Sequence, residues 1–477
     1  TIWEFTKLDK NFQEVWTKKV PVMKGLRYVN YYYADNDNLY LLMGIGNKGS
    51  FQVVDLDVNT GETKSTNGNI TLDASINDFK VVGGNAYLLG TTVPSTLDKC
   101  KQYCFIFTCV PLFTGKVLYK TNAVIINLNL KTGVSTLVRN KYEGDTFIVG
   151  TEVNNKENTL NLLIKSLIKK ETHIHRNKLD NKGELLSRTK LKLKTDKTIN
   201  SGKSLSVNKN KEVMIGAYQV VDPKRKNMSS YYATQSSNGI FFCSFENDEQ
   251  QDIQFYDFSK FPVFYSYLKK TQFSSRDIKK GKDKGENAVS YRLLVHDIIK
   301  REKDFLMIAE AYYPQYHTEY YTTYDSNGRP STSSRRVFDG YRYTHAIIAG
   351  FDFQGSLLWD NAFEIGDILS FRLKERVKVL PSKKDNEIVM LYSWGGNISS
   401  TVINGDEIVG EKEKTKIESK NDDDKVKDNY NSEVSYWYDN YFVSYGYQTI
   451  KSDEEKSKGG KKKRTVFYFN KIVYNDI

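Results

Sequence analysis

What the chain lacks narrows it first. None of its 477 residues lie in an apolar run of 18, so no helix is expected to cross a membrane. No helical periodicity persists for long, which excludes a helical bundle. Proline is scarce, at 8 residues, and rarely interrupts a strand. Histidine numbers 5 and cysteine 4, too few and too scattered for an evident metal centre or a disulfide-rich scaffold. No Gly-x-Ser-x-Gly elbow, Walker loop or zincin helix occurs, so the common signatures of hydrolases and nucleotide-binding enzymes are missing.

What is present points to β structure. Aromatic residues make up 13%, including 33 Tyr and 25 Phe, and these side chains suit a pleated, half-buried surface. Turn signals arrive at the spacing of an all-β domain. The formal charge is +12. Much of the Lys sits beside Asp and Glu, as across 411–428, so the charge reads as a solubilising surface and no nucleic-acid partner is expected.

A unit of strand, polar turn and apolar strand recurs. The apolar strands are expected at 39–43, 86–89, 160–164, 213–215, 305–308, 388–391 and 441–443. Each follows a first strand, at 26–33, 76–82, 147–153, 204–207, 291–299, 371–380 and 434–438. Third strands follow at 51–56, 123–128, 172–179, 239–245, 346–351, 401–403 and 465–472. Gly-bearing turns such as 57–61, 129–133 and 180–183 lead into fourth strands. Four antiparallel strands repeated seven times predict an all-β, seven-bladed β-propeller spanning 1–477, with six or eight blades as alternatives. The blades are placed at 25–72, 76–137, 142–193, 200–258, 288–364, 368–418 and 433–477, with 1–20 completing the last.

Two turns share a spacing: Asp9-x-x-Phe12-x-x-x-Trp16 and Asp352-x-x-Gly355-x-x-x-Trp359. On these residues the chain resembles bacterial propellers with pyrroloquinoline-quinone-type repeats, whose blades often end in Asp-x-x-x-Gly-x-x-x-Trp. Only two of the seven blades carry the Trp, so no quinone and no other cofactor is expected.

In a propeller the strand-two-to-three loops and the blade-to-blade loops share a face. The long insertions fall there, at 94–120, 221–238, 312–342, 449–464, 258–287 and 411–431. Long loops in compact domains are commonly functional, so this face is expected to bind a partner. Its anchors are apolar Phe105, Ile106, Phe107, Leu112 and Phe113, together with Tyr231 and Tyr232. Tyr312, Tyr313, Tyr316, Tyr320, Tyr321, Tyr324, Arg335 and Arg336 complete the set, Tyr and Arg being the usual interface anchors. Cys100, Cys104 and Cys109 fit a local disulfide between two of the three better than zinc, and Cys243 reads as a buried small hydrophobe.

His173 and His175 alternate on one strand without an evident third metal ligand, and no metal is expected. His296 and His345 read as satisfied strand residues. Asp55-x-Asp57-x-Asn59-Thr-Gly61 has a calcium-loop look, but its spacing reads first as a blade turn. The expected function is a non-catalytic, protein-binding scaffold and not an enzyme. The alternative is a glycan-binding or glycan-processing propeller. That alternative predicts acids at the starts of the first strands, where Leu26, Ile76, Phe147, Ser204, Tyr291, Phe371 and Val434 stand.

The chain begins at Thr1, so a removed signal peptide and a periplasmic or envelope location are expected. The Lys-, Asn- and Tyr-rich style with an insertion-bearing propeller resembles envelope subunits of outer-membrane export machines, among them the periplasmic plug subunits of type 9 secretion translocons. That resemblance implies a large outer-membrane barrel, or its accessory subunits, as partner.

Overall fold

The computed structural model describes residues 1–34, 37–44, 49–70, 74–92, 101–105, 108–112, 122–138, 142, 144–168, 171–194, 196–221, 236–271, 291–324, 327–366, 368–382, 386–410, 412–419, 424–452 and 463–474. The fold is all-β, built from consecutive antiparallel sheets, the first four of four strands each, as in a β-propeller; short extra strands widen the fifth to six strands and the sixth to five. The first sheet runs Arg27–Tyr33, Asn38–Gly44, Ser50–Asp57 and Thr63–Asn69. The second runs Ala74–Val82, Asn85–Thr92, Ala123–Asn129 and Ser135–Leu137, and the third Asp145–Asn154, Thr159–Ile168, Glu171–Asp180 and Leu185–Lys190. The fourth takes Lys197–Ser206, Lys211–Val220, Gly239–Glu246 and Glu249–Asp257. The fifth takes Arg292–Val295, Phe305–Tyr324, Pro330–Phe351 and Leu357–Glu364, and the sixth Lys378–Pro381, Glu387–Trp394, Asn397–Asn404 and Glu407–Ile408. The last has three strands among the described residues, Asp424–Tyr438, Tyr441–Ser452 and Lys463–Val473.

The chain divides into two compact units, Thr1–Met214 with Ser244–Asp252, and Ile215–Cys243 with Ile253–Ile477. The division runs through the fourth sheet.

The apolar second strands are the centre of each core. Their side chains alternate, and both faces are buried. Along Asn85–Thr92, Ala86 and Leu88 pack with Leu42, Phe51 and Val53 of the first sheet. Tyr87 and Leu89 pack the other way, with Leu160, Leu162 and Ile164 of the third. The second unit repeats the device: Ile388 and Met390 meet Leu306, Ile308 and Ile348, while Val389 and Leu391 meet Val434 and Phe442. A strand buried on both faces must be apolar at every position, which is why these stretches read as continuous runs. Each such side chain contributes about 1.5–3 kcal/mol of burial.

Polar side chains join one sheet to the next. Each reaches a carbonyl in the turn between the third and fourth strands of the following sheet. Thr66 Oγ1 donates to the Leu130 carbonyl at 2.6 Å, and Asn127 Nδ2 to the Asn181 carbonyl at 2.9 Å. Thr189 Oγ1 donates to the Asp248 carbonyl at 2.7 Å, Tyr256 OH to that of Gly355 at 2.6 Å, and Asn361 Nδ2 to that of Gly405 at 3.3 Å. The turns are shaped from within by their own Asp or Asn. Asp57 Oδ1 accepts from the Asn59 and Thr60 amides, and Asp352 Oδ1 from the Gln354 and Ser356 amides. Asp55, by contrast, accepts from Asn38 Nδ2 at 2.8 Å. The calcium-like spacing is therefore a blade turn.

The N-terminal segment departs from expectation. Ile2–Leu8 and Glu14–Pro21 pair with each other as a hairpin, and the described pairings join neither to the last sheet. Asp9 explains the local pairing, because its Oδ1 accepts the Asn11 and Gln13 amides at 2.8 Å and closes a tight turn. The hairpin packs Trp3 and Phe5 over Leu41 and Met43. Its Trp16 Nε1 donates to the Val58 carbonyl at 3.2 Å, doing for the first sheet what each outer strand does for its successor.

Two further differences are local. The segment 258–287 carries a helix, Pro262–Thr271, entered by the turn Phe258–Lys260. Phe258 and Phe261 before it and Phe264 in its first turn are fully buried, and the Asp360 carboxylate accepts the Phe264 amide at 2.7 Å at its N-terminus. The first strands of the fourth and last sheets begin earlier than expected, at Lys197–Ser206 and Asp424–Tyr438, and that of the sixth is confined to Lys378–Pro381.

The turn docking makes a prediction. Gly355 has φ +92°, and a Cβ there would stand 2.5 Å from Cδ1 of buried Phe242, whereas Gly328 has φ +75° with open space around it. Gly355→Ala is expected to lower stability by about 2 kcal/mol or more, and Gly328→Ala by about 1 kcal/mol of backbone strain alone. Thermal and denaturant melts of the two variants side by side check this.

Candidate interaction site: a projecting tyrosine hairpin

The segment expected as a Tyr-rich loop at 312–342 is a hairpin. Phe305–Tyr324 and Pro330–Phe351 pair continuously from Phe305↔Phe351 to Tyr324↔Pro330, with bulges at Ala311/Tyr312 and Gln315/Tyr316. The strands of the fifth sheet simply run on past the body. Tyr and Thr are strong strand formers, and Asn327-Gly328 sits in the connection with Gly328 at positive φ. At the usual strand rise, 313–324 reaches roughly 40 Å.

Burial shows where the body ends. From Phe305 to Tyr312 every residue is buried, and from Tyr316 onward nearly all are exposed on both faces. Tyr320 and Tyr324 are 75% and 70% exposed, and Tyr313, Tyr316 and Tyr321 are each near half. Tyr312 is corrected: it is 8% exposed, packed edge-on against Tyr341 with Tyr343 beside it, and burial pushes its phenol up to about 12. It anchors the arm and offers nothing to a partner.

The arm carries its own order. On one face Tyr316 packs against Phe338 at 5.5 Å, and the Arg336 guanidinium lies 4.6 Å from the Tyr316 ring centre. Phe338 continues to Tyr341 at 5.1 Å, so aromatic contacts run from the arm into the body. On the other face Arg335 Nη2 and Nε meet Glu319 Oε2 at 2.7 and 2.8 Å. His317 Nε2 lies 3.4 Å from Glu319 Oε1, and Nδ1 bonds Asp339. The Asp339 bond, then Glu319, hold the His317 imidazole above its ordinary value, and Arg335 holds Glu319 below.

At the foot of the arm a carboxylate is sealed in. Glu310, 0% exposed, accepts on Oε1 from the Arg376 and Val377 amides, both at 2.7 Å, and lies 2.9 Å from His296 Nε2. His296 is thus satisfied, as expected. His345 is not: Nδ1 meets Thr344 Oγ1 at 3.0 Å, but Nε2 has no hydrogen-bond partner, and Phe264, Tyr267 and Tyr291 surround the ring. Burial pushes it down to about 3, so it stays neutral. Glu310 and Arg376 escaped sequence reasoning, because a single acid inside a strand and a single base in the segment before one carry no local signal. The hairpin had one: a turn signal at Asn327-Gly328 between two β-rich runs.

The remaining expected residues fall elsewhere. Lys101–Phe105 and Thr108–Leu112 form a separate hairpin in which Cys104 lies opposite Cys109. Phe105 and Leu112 end its strands. Cys100, Ile106, Phe107, Phe113, Tyr231 and Tyr232 lie outside the described residues. Cys243 is buried and free. His175 stacks near Tyr142 at 4.6 Å, and burial, then Arg188, Lys190 and His173, push it down to about 4. A cationic surround of this kind opposes a metal ion.

The charge network sets a pH dependence. A raised histidine orders the arm fully below its unfolded value of about 6.5 and less as pH rises through the folded one. An NMR titration is expected to place His317 above the ordinary value, with arm amide protection falling as pH rises above about 6.5. Asp339→Asn is expected to return the midpoint toward the ordinary value.

No protein-family model matches the chain, and no curated protein does. Among solved structures it is similar to the polysaccharide lyase Uly1, at 10% identity and TM-score 0.38 over 95% of this chain and 94% of that one. It is also similar to a prolyl endopeptidase, at 9% identity and TM-score 0.41 over 94% of this chain and 50% of that one. A third is a putative dipeptidyl aminopeptidase IV from Bacteroides ovatus, at 11% identity and TM-score 0.35 over 82% and 55%. The chain spans about half the length of these peptidases. These neighbours are enzymes, so they give no support to the expectation that the chain is not one, and at this distance they transfer neither reaction nor substrate. They lend no support to a type 9 secretion plug, to export or to an envelope location. The likeness reaches the propeller-like, all-β fold and stops there.

Proposed function

We propose that the chain binds a protein partner through the exposed faces of the tyrosine hairpin. The observation that supports this is the two-sided exposure of Tyr320, Tyr321 and Tyr324 on an arm stiffened by its own contacts. Tyr offers large contact area at low entropy cost, and an arm already ordered loses little on binding. The arginines favour a protein over nucleic acid, because Arg335 is tied to Glu319 and Arg336 lies over Tyr316. A partner surface mixing apolar and acidic groups fits them. The finer reading, a large outer-membrane barrel or its accessory subunits as partner, draws on the sequence resemblance alone.

Affinity capture from a native membrane extract tests both levels. The full chain is expected to retain a defined protein, and the double substitution Tyr320→Ser, Tyr324→Ser to weaken it by about a hundredfold, two anchors of about 1.4 kcal/mol each. Both side chains are solvent-exposed, so melting is expected to be unchanged. Equal recovery by both proteins, or none by either, would sink the reading. Identification of a barrel or its accessory subunit decides the finer one.

A further inference from the structure

Cys104 and Cys109 stand opposite each other across a hairpin that has little else to close it. Lys101–Phe105 pairs antiparallel with Thr108–Leu112, in the register Lys101↔Leu112, Gln102↔Pro111, Tyr103↔Val110, Cys104↔Cys109 and Phe105↔Thr108. We propose that this juxtaposition makes Cys104 and Cys109 a dithiol pair that is oxidised to a cross-strand disulfide, with Cys100 left as the free thiol of the three.

Backbone placement supports the pairing. Directly opposed residues of an antiparallel pair share one face of the ladder, with Cα atoms about 4.5 or 5.5 Å apart. A disulfide needs Cα atoms between about 4.4 and 6.8 Å apart, so either kind of opposed pair meets it. The sequence alone left open which two of Cys100, Cys104 and Cys109 would bond. The register selects one combination. Cys109 faces Cys104, whereas the near end of that strand, Lys101, faces Leu112. Three residue steps separate the two pairs, about 10 Å at the usual rise, and Cys100 precedes Lys101.

The hairpin gives a second, independent reason. Among the described residues its strands form a sheet of their own and pair with no third strand. An isolated two-stranded hairpin is marginal in water. The two residues between its strands are Ile106 and Phe107. A two-residue hairpin connection favours Gly, Asn or Asp, which tolerate positive φ, and neither residue is of that kind. A covalent tie between the strands offsets both deficits, because it removes open conformations from the chain.

The chemistry balances by exchange with a small disulfide such as oxidised glutathione. One cysteine thiolate attacks a sulfur of that disulfide and expels a thiolate. The second cysteine thiolate attacks the resulting mixed disulfide and expels the other. The pair gives up two electrons and two protons, and the oxidant becomes two thiols. A reducing dithiol runs the same steps in reverse, so the bond links the order of the hairpin to redox state. This inference does not rest on the tyrosine arm's binding a partner.

Equilibration of the full chain in a glutathione buffer, then acid quench, alkylation under denaturing conditions and tryptic mass mapping, tests the proposal. Trypsin cuts after Lys99, Lys101 and Lys116, so one peptide, 102–116, holds Cys104 and Cys109, and Cys100 falls in a separate dipeptide. Peptide 102–116 is expected unalkylated and two hydrogens lighter, with Cys100 and Cys243 alkylated. Excess dithiothreitol is expected to free all 4 cysteines. Cys100→Ser is expected to leave the bond in place. Guanidinium in the same buffer is expected to lower the equilibrium constant for the bond by about tenfold or more, because only the folded register holds the two positions together. The proposal is overturned if Cys100 is bonded to either partner, or if Cys104 and Cys109 stay reduced or stop at glutathione adducts. It is equally overturned if the unfolded chain forms the bond as readily as the folded one.

Discussion

The structure depends on one repeated contact: a polar side chain on each of the first five sheets reaching a carbonyl in the next sheet's outer turn. A turn at the edge of a sheet exposes carbonyls that strand pairing cannot satisfy, and burying them between sheets is costly unless a donor arrives. Thr66, Asn127, Thr189, Tyr256 and Asn361 each supply one. The donors differ in type because the contact constrains only the position of a hydrogen, not the side chain that brings it. The apolar faces give these sheets their cohesion, while the docked turns set the register at which one sheet meets its neighbour. Trp16 extends the rule to the N-terminal hairpin, which is placed by the same contact without sharing a strand ladder.

Against that frame of satisfied groups, the tyrosine arm stands out by having no buried face. Its order comes from within, through the strand ladder, the Tyr316–Phe338–Tyr341 aromatic path and the charge chain from Arg335 to Asp339. Surface ion pairs are individually weak, so the ladder and the aromatics carry the arm and the charges tune it. An ordered projection with exposed tyrosines is suited to contact.

Buried acidic and basic groups mark two other places; at the first, Glu310 Oε1 is met while Oε2 has no hydrogen-bond partner. Glu310 is met by two backbone amides and His296. Arg176, in the first unit, is met by Glu212 Oε1 at 2.9 Å and Asp248 Oδ1 at 2.9 Å, with the Phe245 ring beside it. Such groups specify how neighbouring strands pack more than they add stability.

The sequence by itself determined the sheet plan. Second strands such as Leu39 to Met43 and Ile388 to Leu391 are buried on both faces, so each residue must be apolar and the run is visible in one dimension. First strands were less legible where, as in Lys197–Ser206, polar residues interleave with buried ones. The arm was read as a loop because strands that leave the body bury neither face and lose the alternation that betrays a strand. Only the tertiary structure decided which tyrosines are available. Tyr312 and Tyr313 are neighbours of the same kind, yet the first is sealed against Tyr341 and Tyr343 and the second is exposed. The pleat sends them to opposite faces, and the bulge at Ala311/Tyr312 sets where the body ends. Neither is written in residue type, because both depend on what the rest of the chain packs against that strand.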